Sequence, residues 1–111
     1  MDNMTQNHNK DSSILEQLEN IIHDRLSQEN SDSYVHRLVA SGMDRVLQKI
    51  GEEATEFVIA GKNNDRAEVC EEGADLLFHL LVFLNAKGMQ LSDITAVLAQ
   101  RAAHADSENE S

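Results

Sequence analysis

Apolar residues return at intervals of three and four along most of this chain, so the pattern reads as helical nearly throughout. Ile14, Leu18, Ile21, Ile22 and Leu26 form a first stripe, preceded by a candidate capping box at Ser13-Ile14-Leu15-Glu16. Ser27 to Ser33 is polar and reads as a loop. Tyr34 to Ala40 forms a short helix closed by Ser41-Gly42. Met43, Val46, Leu47, Ile50, Ala54, Phe57 and Val58 give a third helix, Met43 to about Ala60, its buried face. After a turn at Gly61-Lys62-Asn63-Asn64, Asp65-Arg66-Ala67-Glu68 opens a fourth helix that runs to about Lys87. From Leu76 to Leu84 that helix is apolar at every position except His79, the pattern of a helix buried on more than one side. Ala86-Lys87-Gly88 ends it, and Leu91-Ser92-Asp93 leads into a last amphipathic helix through about Ala103, carrying Ile94, Val97 and Leu98. The expectation is an all-α domain of four to five helices over residues 13–103. A disordered leader, 1–12, and a disordered acidic tail, 104–111, flank it.

Composition narrows the class. A chain of 111 residues makes one small domain with a modest core, which favours completion by self-association. A formal net charge of −11 argues against nucleic acid, whose phosphates call for a basic surface. The first ten residues lack the apolar segment of a signal peptide, and no stretch is long enough to cross a membrane. A single cysteine, Cys70, rules out an internal disulfide and suits a reducing cytoplasm.

Polar residues that interrupt the helical faces carry the chemistry. Glu52, Glu53 and Glu56 lie on the third helix, and Glu72 and Asp75 on the fourth. Each set repeats an acid at i and i+3, which places Glu53 with Glu56, and Glu72 with Asp75, on one helical face. Antiparallel neighbours joined by one tight turn bring the two sets face to face. Facing carboxylates repel unless protonated or neutralised, and an all-oxygen set suits a hard divalent ion such as Mg²⁺ or Mn²⁺. Plainer readings stand beside this one. Charge runs on helices ordinarily face solvent, and Lys49 is placed to pair with Glu53. Glu72 and Asp75 have Lys49 or Arg66 as candidate salt-bridge partners. Gly51 and Gly73, each costing about 1 kcal/mol inside a helix, mark either close helix packing or close approach of an ion or substrate. His79, last in the stripe Glu68-Glu72-Asp75-His79, reads as a metal ligand, a substrate contact or a hydrogen-bonded core histidine. Five of the nine basic residues, Arg37, Arg45, Lys49, Lys62 and Arg66, cluster around the first acidic set.

The order Glu-Glu-x-x-Glu followed by Glu-x-x-Asp resembles the signature of the all-α, MazG-type nucleoside-triphosphate pyrophosphohydrolases. Over roughly Tyr34 to Arg101 the resemblance sharpens. The runs Lys49-Ile50-Gly51-Glu52-Glu53-Ala54-Thr55-Glu56 and Ala74-Asp75-Leu76-Leu77-Phe78-His79-Leu80-Leu81 are similar to those of the phosphoribosyl-ATP pyrophosphohydrolase family, with Gly61 and Gly73 standing where alanine is more usual. The resemblance implies a MazG-like helical bundle completed by homodimerisation. It also implies Mg²⁺-dependent cleavage of the α–β phosphoanhydride of phosphoribosyl-ATP, the second step of histidine biosynthesis, yielding phosphoribosyl-AMP and pyrophosphate. It carries metal ligation onto Glu53, Glu56, Glu72 and Asp75, and a water-orienting role onto Glu52. Lys49, Lys62 and Arg66, then Arg37, become candidates for phosphate, and His79 for a substrate contact. Some relatives are fused to a zinc cyclohydrolase; one cysteine and no second domain set this chain apart from those.

Three rivals follow from the same residues. A housecleaning (d)NTP pyrophosphohydrolase keeps the chemistry and changes the nucleotide. A di-iron carboxylate bundle calls for Glu-x-x-His on two helices, where this chain has Glu-x-x-Glu and Glu-x-x-Asp. A non-catalytic helical adaptor leaves the acids solvated and uses the apolar helix for a partner.

Overall fold

The computed structural model describes residues 3–29 and 32–110, with side chains placed for 14–29 and 32–106. It is all-α, with five helices: α1 Asn3–Ser27, α2 Tyr34–Ala40, α3 Met43–Lys62, α4 Arg66–Ala86 and α5 Leu91–Glu110. Local chemistry sets the boundaries. The Ser33 hydroxyl caps α2 by accepting from the His36 amide at 3.1 Å, and the Asp65 carboxylate caps α4 by accepting from the Glu68 amide at 3.1 Å. Gly88, at φ 75°, lets the chain fold back after α4 so that the Met89 amide reaches the Leu84 carbonyl at 2.8 Å.

Two helix ends differ from expectation. Helix α1 begins at Asn3, so Ser13 lies inside it rather than capping it, and α5 continues past Ala103 to Glu110. Neither added segment contains the proline or glycine that would stop a helix. Met1, Asp2 and Ser111 of the expected leader and tail lie outside the described residues.

The core gathers Ile22 of α1, Val35 and Leu38 of α2, Val46 of α3, and Leu81, Val82 and Leu84 of α4. Leu18, Met43, Ile50, Phe78 and Phe83 pack around it. Helix α4 touches α1, α2 and α3, as its apolar centre requires, and α3 and α4 lie along each other as the principal pair. Only the first half of α3 and the second half of α4 reach the core. The hairpin tip between them, where the acids lie, extends beyond it.

That geometry corrects the face expected for α3. Phe57 and Val58 are exposed, Val58 to 67 %, because no helix among the described residues covers the tip; Leu47, next to the fully buried Val46, is exposed because it faces away from the core. Leu77 on α4 and Ile94, Val97 and Leu98 on α5 are likewise exposed. The radius of gyration, 16.9 Å, exceeds the roughly 13 Å of a compact chain of this size.

Candidate metal centre

The α3–α4 hairpin brings three of the expected acids together. Carboxylate oxygens of Glu53, Glu56 and Glu72 lie within 4.8 Å of one another. Turn chemistry makes this possible: Asn63 ends α3, Asn64 takes the left-handed conformation at φ 58°, and Asp65 starts α4. Asparagine tolerates that conformation better than most residues, so the return is tight and the acidic faces meet. Gly73 permits the close approach: a Cβ there would stand 3.3 Å from Cε1 of Phe57. Gly51 has open space around it, so helix packing explains only one of the two glycines.

Glu53 is the most constrained of the group. It is 6 % exposed; Oε1 lies 3.5 Å from the Lys49 ammonium, and Oε2 is buried without a hydrogen-bond partner. The expected Lys49–Glu53 pair is therefore real, yet it satisfies only half of the carboxylate. Among the described residues no cation pairs with Glu56, Glu72 or Asp75, so the salt bridges considered for Glu72 and Asp75 do not form. Partial burial, then the charges of Glu56, Glu53, Asp75 and Glu68, raise the Glu72 carboxyl above the ordinary carboxylate value. Asp75 stands outside the close group but near enough to act on Glu72. A cleft of about 240 Å³, lined by Glu56, Ile59, Ala60, Asn63, Asp65, Glu68 and Glu72, adjoins the acids on the side of the turn.

The remaining expected site residues scatter. Glu52 does not join the acids. It accepts from Gln48 Nε2 at 3.0 Å, with Lys49 at 3.8 Å and Arg45 at 4.0 Å, all on the preceding turns of α3. Lys49 is thereby held by two carboxylates rather than left for phosphate; burial lowers its pKa, but Tyr34, then Glu53 and Glu52, outweigh that and raise it. Arg37 pairs with Asp32 at 3.2 Å in the loop before α2. Lys62 is exposed at the end of α3, and Arg66 lines a separate cavity with Gly61, Asn64, Val69 and Cys70.

Of the three readings open for His79, the geometry matches the hydrogen-bonded core histidine. It is 6 % exposed, with Nδ1 2.7 Å from the Asp75 carbonyl oxygen and Nε2 2.8 Å from the Tyr34 hydroxyl. Both ring nitrogens are spent within the chain, which leaves none for a metal or a substrate: His79 is the hydrogen-bonded core histidine. Tyr34 escaped the sequence reading because it lies forty-five residues from His79 on another helix. Gln48 and Arg45 were legible as neighbours of Glu52 at helical spacing.

Known proteins share this arrangement of sequence. The family described as phosphoribosyl-ATP pyrophosphohydrolase matches residues 15–102. A phosphoribosyl-ATP pyrophosphatase from Pyrobaculum neutrophilum is 46 % identical over 88 residues, covering 79 % of this chain and 94 % of the relative. One from Novosphingobium aromaticivorans is 47 % identical over 88 residues, covering 79 % of this chain and 82 % of the relative. The histidine biosynthesis bifunctional protein HisIE of Bacillus subtilis is 42 % identical over 88 residues, which are 79 % of this chain and 42 % of that longer protein. The match takes in the acidic hairpin and the helices that carry it, and with it this chain belongs to the phosphoribosyl-ATP pyrophosphohydrolase family, a family of hydrolases.

Proposed function

We propose that the protein hydrolyses the α–β phosphoanhydride of phosphoribosyl-ATP, releasing pyrophosphate and phosphoribosyl-AMP in the cytoplasm as the second step of histidine biosynthesis, and that it depends on Mg²⁺, with Mn²⁺ as a substitute. The substrate follows from the names of the relatives. The metal rests on one observation: the buried, partnerless Oε2 of Glu53 beside Glu56 and Glu72. Leaving a charged acceptor buried and unmade costs on the order of 1–3 kcal/mol or more, and a cation among the three acids removes that cost. Glu53, Glu56 and Glu72, with Asp75 one turn further, are the residues that would hold it. Bound there, Mg²⁺ supplies charge neutralisation for a polyphosphate and a more acidic water.

The chain's own residues do the rest. Lys49 keeps Glu53 oriented, with Oε1 occupied and Oε2 buried without a partner. Glu52 has no place among the clustered acids; at their edge it holds Lys49 and Arg45. Its second oxygen carries no hydrogen bond and is the one that could orient a water while Gln48 holds the first. Lys62 and Arg66, at the turn end of the hairpin, form no ion pair among the described residues, and so are better placed than Lys49 or Arg37 to meet phosphate. The exposed Leu47, Val58, Ile59 and Leu77, with Ile94, Val97 and Leu98, support a homodimer that covers the hairpin tip and α5. No helix of the described residues is long and apolar enough to cross a membrane.

Pyrophosphate release from phosphoribosyl-ATP, with Mg²⁺ or EDTA and beside ATP and a dNTP panel, tests the proposal. Mg²⁺-dependent release from phosphoribosyl-ATP alone supports it. Release from dNTPs instead keeps the metal chemistry and replaces the substrate, and no release from any nucleotide refutes it. Light scattering at increasing protein concentration tests the dimer.

A further inference from the structure

We propose that the hydrogen bond between Tyr34 and His79 is a latch that positions the α4 carboxylates Glu72 and Asp75 against Glu53, so that Tyr34 is a positioning residue of the metal centre; the inference rests on the metal-dependent reading above.

The direction of the bond is fixed by its neighbours. The Asp75 carbonyl can only accept, so the His79 nitrogen 2.7 Å from it carries the proton. In a neutral ring the other nitrogen then accepts, and the Tyr34 hydroxyl donates to it at 2.8 Å. Three rings hold this arrangement in place. Tyr34 stacks on Phe78 with centroids 6.2 Å apart, and His79 stands edge-on to both, at 5.7 Å from Tyr34 and 5.2 Å from Phe78. Tyr34 is the first residue of α2, behind the Ser33 cap, and is thereby anchored to a third helix.

The position of the latch gives it a consequence. Glu72, Asp75 and His79 lie on one stripe of α4, with His79 one turn beyond Asp75. Rotation of α4 at His79 therefore swings Asp75 and Glu72 relative to α3. The acids repel one another, and they lie on the part of the hairpin that the core does not reach. A fixed point is needed where the stripe meets the core, and Tyr34 provides it. Tyr34 thus ties α2 to the acid-bearing helix α4 by a hydrogen bond and a ring contact.

The test compares Mn²⁺ binding, read from the electron paramagnetic resonance signal of the free ion, in wild type, Tyr34→Phe, His79→Phe and the double variant. Tyr34→Phe removes a single oxygen and keeps the ring. Losing one hydrogen bond corresponds to a change of roughly three- to tenfold, and that is the expected loss of Mn²⁺ affinity in Tyr34→Phe. Helical circular dichroism is expected to stay unchanged, and the double variant to lose no more than His79→Phe alone. In turnover, the Mg²⁺ concentration for half-maximal pyrophosphate release rises, while kcat at saturating Mg²⁺ is kept. Wild-type Mn²⁺ affinity in Tyr34→Phe, even with a lowered melting temperature, overturns the latch and leaves the enzyme reading standing. Weakened Mn²⁺ binding in a protein that does not cleave phosphoribosyl-ATP supports the latch and sinks the substrate. A wild-type protein that binds no Mn²⁺ overturns both the latch and the metal.

Discussion

The Lys49 ammonium lies 3.5 Å from one oxygen of Glu53, while the other oxygen of the same buried carboxylate has no partner. Half of the group is neutralised within α3 and half is buried without a partner. A purely structural ion pair would leave no such remainder. Thermal stability should therefore respond to divalent ions.

At about one hundred times its dissociation constant, Mg²⁺ or Mn²⁺ should stabilise the protein by about 2.7 kcal/mol. Glu53→Gln and Glu72→Gln should each remove most of that gain, whereas Glu52→Gln should keep it, because Glu52 lies outside the cluster. Melting curves with EDTA and with added metal check this. A gain of equal size in all three variants would place the ion elsewhere.

The metal-free protein should lose stability as pH rises through the titration of Glu72. Partial burial and neighbouring acids raise this carboxyl above its ordinary value of 4.5, so the folded protein holds the proton more tightly than the unfolded chain. Stability from this group is then gained as pH falls through the raised value toward 4.5, and lost in the opposite direction. Glu72→Gln should be flatter across that window and more stable than wild type above it. Parallel melting profiles in EDTA would contradict the argument.

Gly51→Ala should stabilise the metal-free protein by about 1 kcal/mol, since a helical glycine is replaced where nothing stands within 4 Å. Gly73→Ala should gain less, because its Cβ meets Phe57 at 3.3 Å and the ring, itself partly exposed, must turn aside. Urea midpoints at constant m-value rank the two. A larger gain at position 73 would mean that the Phe57 contact costs nothing.

Helix α5 is tied to α1 at its first residue, where the Leu91 amide donates to the Glu19 carboxylate at 2.6 Å and the Leu91 side chain packs against the core. Hydrogen bonds to charged groups contribute roughly 1.5–3 kcal/mol. Glu19→Ala should therefore loosen α5 while the core of α1 to α4 stays intact. Hydrogen exchange over residues 91–103 should accelerate, with little change around Val46 and Val82. Unchanged exchange in α5 would show that other contacts, including a second copy, hold the helix.

Much of the fold was legible because helix formation is decided locally. Ser33, Asp65 and Gly88 mark helix ends by chemistry within a few residues, and the centre of α4 announces its burial by being apolar all round. The far ends of α1 and α5 were not legible, since a polar sequence without helix breakers is compatible with either state. The meeting of Glu53, Glu56 and Glu72 was also legible, because helical spacing and one short turn nearly determine it.

Tertiary structure alone decided the rest. Periodicity gives the direction of a side chain about its own helix, and says nothing of what stands opposite. Helical spacing puts Glu53 nearer the buried face than Glu52, but how deeply it is buried depends on where α4 lies. Phe57 and Val58 stay exposed because the core ends partway along the hairpin. The partner of His79 comes from a helix forty-five residues earlier, a contact made when α2 packs on α4 and invisible in any local pattern. The sequence determined which residues carry charge and on which helical face; packing determined which of those charges share a low-dielectric space, where an unpaired oxygen becomes costly and a bound cation becomes favourable.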